Sequence, residues 1–162
     1  MNKEEQVETS FRDLLNKKYL LEKFKMEESL KGYTNSEVHC ITYLGRNADS
    51  NVTKLAESLF MTRGAVSKIT KKLLQKGLIE GYQKPENKKE VYFRLTDQGN
   101  EVYKIHEGLH REFQERDKAV FEQIPEKEFD IILSFVEQYN RHLDTEIKKQ
   151  GVDITNRNDI EG

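Results

Sequence analysis

A single cysteine, two prolines and nine glycines are spread through 162 residues, and each scarcity closes off a class of protein. The lone thiol, Cys40, excludes an intramolecular disulfide framework and fits a reducing compartment. So few prolines and glycines leave room for long uninterrupted helices. No apolar run approaches the roughly 20 residues that span a bilayer; Ile131-Ile132-Leu133 is core-sized. Residues 1–10 are polar and acidic, without a secretory signal pattern, so a cytoplasmic location is expected. There is no glycine-rich phosphate loop and no nucleophile–base arrangement, which predicts that the protein is not an enzyme.

What is present is charge, unevenly placed. Charged residues make up 35% of the chain and the net charge is −2. The stretch 51–96 alone holds ten cations and four acids, a local +6 that leaves −8 for the remainder. Within it, 62–76 reads as a helix with two faces. Val66, Ile69 and Leu73 share a narrow apolar arc, and Gly64, Ser67, Lys68 and Lys71 lie opposite, flanked by Arg63 and Lys72. Five cations and no acid occur between Met61 and Gly77. Such a face suits a polyanion while its back packs on a core.

The flanking pattern supplies the context. Apolar residues from Val7 to Phe24 recur at helical spacing and predict a long first helix over 4–30 that stops near Gly32. Thr34 and Glu37 have capping-box spacing and open a second helix that ends around Gly45. Asn51 caps a short third helix, and Thr62 caps the basic one. After Gly77, residues 78–82 and 91–95 are strand-like, with a polar, turn-rich tip over 84–90. Thr96 caps a helix over 97–122, Pro125 opens another over 125–150, and 151–162 is expected to be a disordered tail.

The fold class this predicts is mainly α with a small β-hairpin wing, a winged helix-turn-helix flanked by long helices. It forms one domain over 1–150, with the winged core at 34–96. The apolar stripes of helices 4–30, 97–122 and 125–150 exceed what so small a core can cover. A homodimer is therefore expected, presenting two basic helices about one DNA turn apart.

These residues resemble the MarR family of bacterial transcription regulators. The likeness runs through Val52-Thr53-Lys54-Leu55-Ala56-Glu57, Thr62-Arg63-Gly64-Ala65-Val66-Ser67-Lys68, Leu73-Leu74-Gln75-Lys76-Gly77-Leu78-Ile79 and Leu95-Thr96-Asp97-Gln98-Gly99. It covers roughly 11–143. The resemblance implies a dimeric regulator, expected to be a repressor, that reads a palindrome in double-stranded DNA. Thr62, Arg63, Ser67 and Lys68 are the base-edge candidates, with Gly64 leaving room for close approach. Lys71, Lys72 and the wing lysines Lys84, Lys88 and Lys89 are the phosphate candidates. The family places an Asp and an Arg two residues apart at the wing tip, where Asn87 and Lys89 stand here. Lysine offers a point charge without the planar fork of arginine.

Control is expected from a metal or a small ligand. His106 and His110 are four apart on one helix face, and His39 lies in the second helix. These histidines are similar to those of the zinc-sensing branch of the family, where a carboxylate of the first helix completes the site; Glu22 is its nearest counterpart. Val38 and Ile105 stand where that branch has a second site, so no second metal is expected. The fatty-acid-synthesis regulators of the family look similar at the same positions, which leaves crevice-lining histidines as the other reading. Cys40 as a redox switch, and a small organic effector among Tyr19, Tyr43 and Phe113, stay open. The string His106-Glu107-Gly108-Leu109-His110 matches a zinc-protease motif by letter, without a catalytic domain around it. The alternative to a DNA reader is a winged-helix protein-interaction module with no DNA target.

Overall fold

A computed structural model describes residues 1–150; the expected disordered tail, 151–162, lies outside the described residues. The element order is α1 (Lys3–Ser29), α2 (Asn35–Arg46), α3 (Val52–Leu59), α4 (Arg63–Gln75), β1 (Ile79–Lys84), β2 (Asn87–Leu95), α5 (Asp97–Phe121) and α6 (Glu126–Lys149).

Local side-chain chemistry sets where the helices begin. Thr34 Oγ1 accepts from the Glu37 N–H at 3.1 Å, Asn51 Oδ1 from Lys54 N–H at 2.9 Å, and Thr62 Oγ1 from Ala65 N–H at 3.0 Å. Only half of the capping box expected at Thr34 forms. The Glu37 carboxylate turns away from the Thr34 backbone and meets Lys76 Nζ at 2.7 Å, because a charged partner holds a buried carboxylate better than one neutral amide does. A full box forms instead at Asn2 and Glu5, where α1 starts. Helix α1 ends at Leu30, two residues before Gly32, and Pro125 sits at the N-cap of α6 without a side-chain cap bond.

The core collects the buried faces of α2, α3, α4, β1, β2 and α5. Ile41, Leu55, Val66 and Leu73 are wholly inaccessible, and Val102, Leu109 and Phe113 close the cluster from α5. Burying each such side chain contributes about 1.5–3 kcal/mol. Helix α4 ends in a left-handed Gly77 (φ +73), with Leu78 N–H bonded to Leu73 O at 3.0 Å.

The chain then enters an antiparallel hairpin in which Ile79 pairs with Leu95, Tyr82 with Tyr92 and Lys84 with Asn87, with an irregularity between Tyr82 and Lys84. Residues 84–90 are therefore not a loop. Only Pro85 and Glu86 form the turn, and the rest belongs to the strands. A ribbon that projects from the body has no buried face near its tip, so the alternation that betrays a strand is missing there. Ser50 adds a one-residue bridge, its carbonyl accepting from Phe93 N–H at 2.8 Å.

Helices α1 and α6 contribute no fully buried residue. Their apolar side chains stand open along both helices, from Phe11, Leu14 and Leu21 to Ile131, Leu133 and Leu143. Phe11 stacks on Phe135 with ring centroids 6.0 Å apart, so the two helices share one uncovered surface.

Among the described glycines, the one with least room lies where α5 leaves the hairpin. A Cβ added at Gly99 would fall 2.0 Å from the Leu78 carbonyl oxygen. Gly99→Ala is expected to destabilise the protein by about 3 kcal/mol, read as a lower urea midpoint with unchanged slope; an unaltered midpoint would refute this packing.

Candidate functional site

The cationic helix presents its cations as its sequence describes, and its inner face differs at one position. Val66 and Leu73 of α4 are buried as expected, Ile69 is only half-buried and Thr70 is buried beside it, while Arg63, Gly64, Ser67, Lys68, Lys71 and Lys72 are exposed. Thr62 is half-buried and spends its oxygen on the cap. The helix N-terminus has no acid in its first turn, so its positive dipole end is available to an anion. The space beside Gly64 is open: an added Cβ would meet nothing nearer than the Thr62 oxygen at 4.0 Å. Arg63 Nη2 donates to Thr53 Oγ1, joining the starts of α3 and α4. Lys76, counted with the cations of this helix, leaves the face altogether. Its Nζ meets the Glu37 carboxylate, which is 3% exposed, and stands 5.5 Å from the Tyr33 ring centroid.

The three wing lysines divide into two kinds. Lys88 and Lys89 are exposed on β2, with Lys89 N–H donating to Asn87 Oδ1 at 3.3 Å. Lys84 folds back toward the body of the domain. Its Nζ lies 2.8 Å from Asp49 Oδ2 and 4.8 Å from the Tyr92 ring centroid. The Tyr82 hydroxyl donates to the other Asp49 oxygen. Lys84 and Tyr82, in that order, hold the Asp49 carboxyl below its ordinary range. Nothing in the sequence marked Asp49, which stands in an aperiodic loop far along the chain from both partners.

The histidines meet at a crevice between α1, α2 and α5. His39, His106, His110 and Glu22 line one cavity of 220 Å³ together with Tyr19, Met26, Leu30 and Tyr33. Thr42 Oγ1 donates its only proton to Val38 O at 2.9 Å, so at 3.2 Å from His106 Nδ1 it acts as acceptor. That assigns the His106 proton to Nδ1 and leaves a lone pair on Nε2, which faces His110 Nε2 at 3.2 Å. Burial, and then the neighbouring His110, push the His106 pKa down, so its neutral form prevails near pH 7. Two nitrogens bound to one tetrahedral zinc ion stand about 3.3 Å apart, given bonds of about 2.05 Å. The histidine pair matches that separation, and Thr42 is an orienting partner of the kind that metal-bound imidazoles use.

The other two proposed ligands are less committed. His39 is exposed on the crevice wall. The Glu22 carboxylate accepts from Lys18 at 2.6 Å and from Arg116 at 3.3 Å. Among the described residues, no three His, Cys, Asp or Glu side chains are gathered closely enough to hold a metal. The donor types suit zinc, and a complete set would require Glu22 to leave Lys18 and Arg116 for the histidines. Glu107, the letter match to a protease base, is bound by Arg46 at 2.6 Å.

A model of the MarR family matches residues 33–91. The uncharacterized HTH-type transcriptional regulator YhjH of Bacillus subtilis (strain 168) is 36% identical over 126 residues, which is 77% of this chain and 70% of that protein. Among solved structures, Streptococcus pneumoniae FabT in complex with DNA has a similar fold, with a TM-score of 0.74 at 20% identity over 87% of this chain and 97% of that one. The adhesin competence repressor AdcR of Streptococcus pyogenes follows at a TM-score of 0.67 and 24% identity, over 84% of this chain and 96% of that one.

Cys40 faces the core from α2, is inaccessible, and has its thiol pushed up to about 12 by burial. The folded protein is expected to resist iodoacetamide at pH 7.5 for hours and to be alkylated fully in denaturant; rapid alkylation of the native state would restore a redox role.

Proposed function

The chain belongs to the MarR family of transcription regulators, and on that premise we propose that it is a homodimer that reads a palindrome in double-stranded DNA. The observation that carries the proposal is the acid-free exposed face of α4, backed by a buried Val66–Leu73 stripe. A helix so divided lies in the major groove with its early residues at base edges and its later cations at phosphates. Arg63, released from Thr53, is the candidate for a guanine, with Thr62, Ser67 and Lys68 beside it. Lys71 and Lys72 serve phosphate, joined by Lys88 and Lys89 of the wing. Two copies of α4 require a dimer, and the uncovered faces of α1 and α6 supply the surface for one. The fold shared with FabT carries DNA in that protein. No helix of the described residues is long and apolar enough to cross a membrane, and family members are transcription regulators rather than enzymes.

The action expected of such a dimer is repression, relieved or imposed by whatever enters the crevice. The donor types there favour a zinc ion held by His106 and His110, with His39 and Glu22 completing the set. What supports this is the 3.2 Å Nε2–Nε2 separation and the proton placement that frees His106 Nε2. A small organic ligand in the same cavity is the competing effector, and it requires no rearrangement of Glu22.

Two measurements test the reading. A duplex selected by the protein from a randomised library should bind less well to Arg63→Ala by about 1–3 kcal/mol, with relaxed sequence preference. Lys71→Ala should weaken all sequences alike and reduce the salt slope by about 1. If neither substitution alters binding, α4 is not the reader and the protein-interaction alternative gains.

Zinc titrated into chelator-treated protein should bind tightly and shift affinity for that duplex, and His106→Ala should remove both effects. Binding of no metal by the unaltered chain would leave the histidines as lining of an organic-ligand crevice.

A further inference from the structure

The cations of a DNA-binding wing are ordinarily counted as phosphate contacts, and here one of them is already spoken for. Asp49 adopts a left-handed conformation (φ 55) just before α3, a conformation that Asp tolerates better than most residues. From there its carboxylate takes both Tyr82 and Lys84 from the hairpin, reaching Lys84 Nζ at 2.8 Å. Lys54 Nζ donates to the Asp49 carbonyl at 3.1 Å. The neighbouring residues fasten the same strip of loop to the wing: Ser50 O accepts from Phe93 N–H at 2.8 Å, and Asn51 Nδ2 donates to Glu90 Oε2 at 3.3 Å. Lys84 is enclosed further by the Tyr92 ring, whose face attracts a cation.

We propose that Asp49 is a positioning residue for the wing, which sets the hairpin against the reading helix and withholds Lys84 from phosphate. This rests on the DNA-reading function proposed above. The geometry separates two jobs that the sequence runs together. Lys88 and Lys89 remain exposed on β2 to meet the nucleic acid, and Lys84 serves as the inner anchor of the ribbon. A Lys84 that left Asp49 for a phosphate would leave that carboxylate with the Tyr82 hydroxyl as its one hairpin partner beside a polyanion, and would remove one of the contacts that tie the wing to the loop before α3.

The test is a double-mutant cycle read as the dependence of affinity on salt for the selected duplex. Each phosphate contact contributes about 0.9 to that slope, or roughly a three- to four-fold change in affinity between 50 and 200 mM salt. Asp49→Asn keeps a side chain at home in the left-handed region and removes the charge; Asp49→Gly, which adopts that conformation without strain, serves instead if the Asn variant does not fold. Lys84→Ala is expected to leave the slope nearly unchanged in the natural background and to lower it by about 1 in the Asp49→Asn background, where Lys84 is released. A drop of about 1 in both backgrounds would show that Lys84 contacts phosphate regardless of Asp49 and would overturn the proposal. So would no change in either background. A purely structural role for Asp49 weakens binding without making the effect of Lys84 depend on it. If the unaltered chain shows no salt-dependent binding to any duplex, the DNA-reading function itself fails, a result distinct from every arm of the cycle.

Discussion

A carboxylate that is 3% exposed must find a cation, and Glu37 finds Lys76. This pair fastens the first turn of α2 to the end of the reading helix, with Gly32 O also 3.4 Å from the same Nζ. Much of the arrangement depends on that constraint, because α2 packs on α3, α4, β2 and α5. Two residues beyond Glu37, His39 lines the crevice, and three further on Thr42 fixes the proton on His106. The helix also carries Val38, Ile41 and Leu44 into the core. A rigid helix gripped at the crevice and at α4 cannot shift at one without shifting at the other. If the crevice takes an effector, as proposed, one that favours a placement of α2 would favour a placement of α4.

The wing and the helix-turn-helix are joined by a different logic. Ile79 and Phe93 seat the base of the hairpin in the apolar core, and Tyr82 and Lys84 farther out meet Asp49 instead. Polar contacts from the 47–51 loop fasten the outer ribbon, and the exposed ones among them are each weak alone. Their number and their convergence on one short strip are what fix the ribbon's direction.

How much of this was legible depended on range. Caps at Thr34, Asn51, Thr62 and Thr96 could be read because each is a bond between residues three apart. The buried stripe of α4 and the His106–His110 pair were legible for the same reason, since helical periodicity brings them together. The Glu37–Lys76 and Asp49–Lys84 pairs were not, because residues 39 and 35 apart in sequence meet only once the fold exists. Glu37 even misled, since its spacing from Thr34 suggested a cap it does not complete. The strand character of 84–90 was hidden by its having no buried side, and the engagement of Glu22 by Arg116 depends on how α1 leans against α5.

The uncovered faces of α1 and α6 have a consequence for cellular dosage. A chain whose longest apolar surfaces are satisfied only by a second copy has a stability tied to its own abundance by mass action. At low copy number the dimer is scarce, and the monomer left over shows the apolar groups that quality-control proteases and chaperones recognise. The apolar side chains left open from Phe11 to Leu143 thus tie the stability of each chain to the concentration of its own copies.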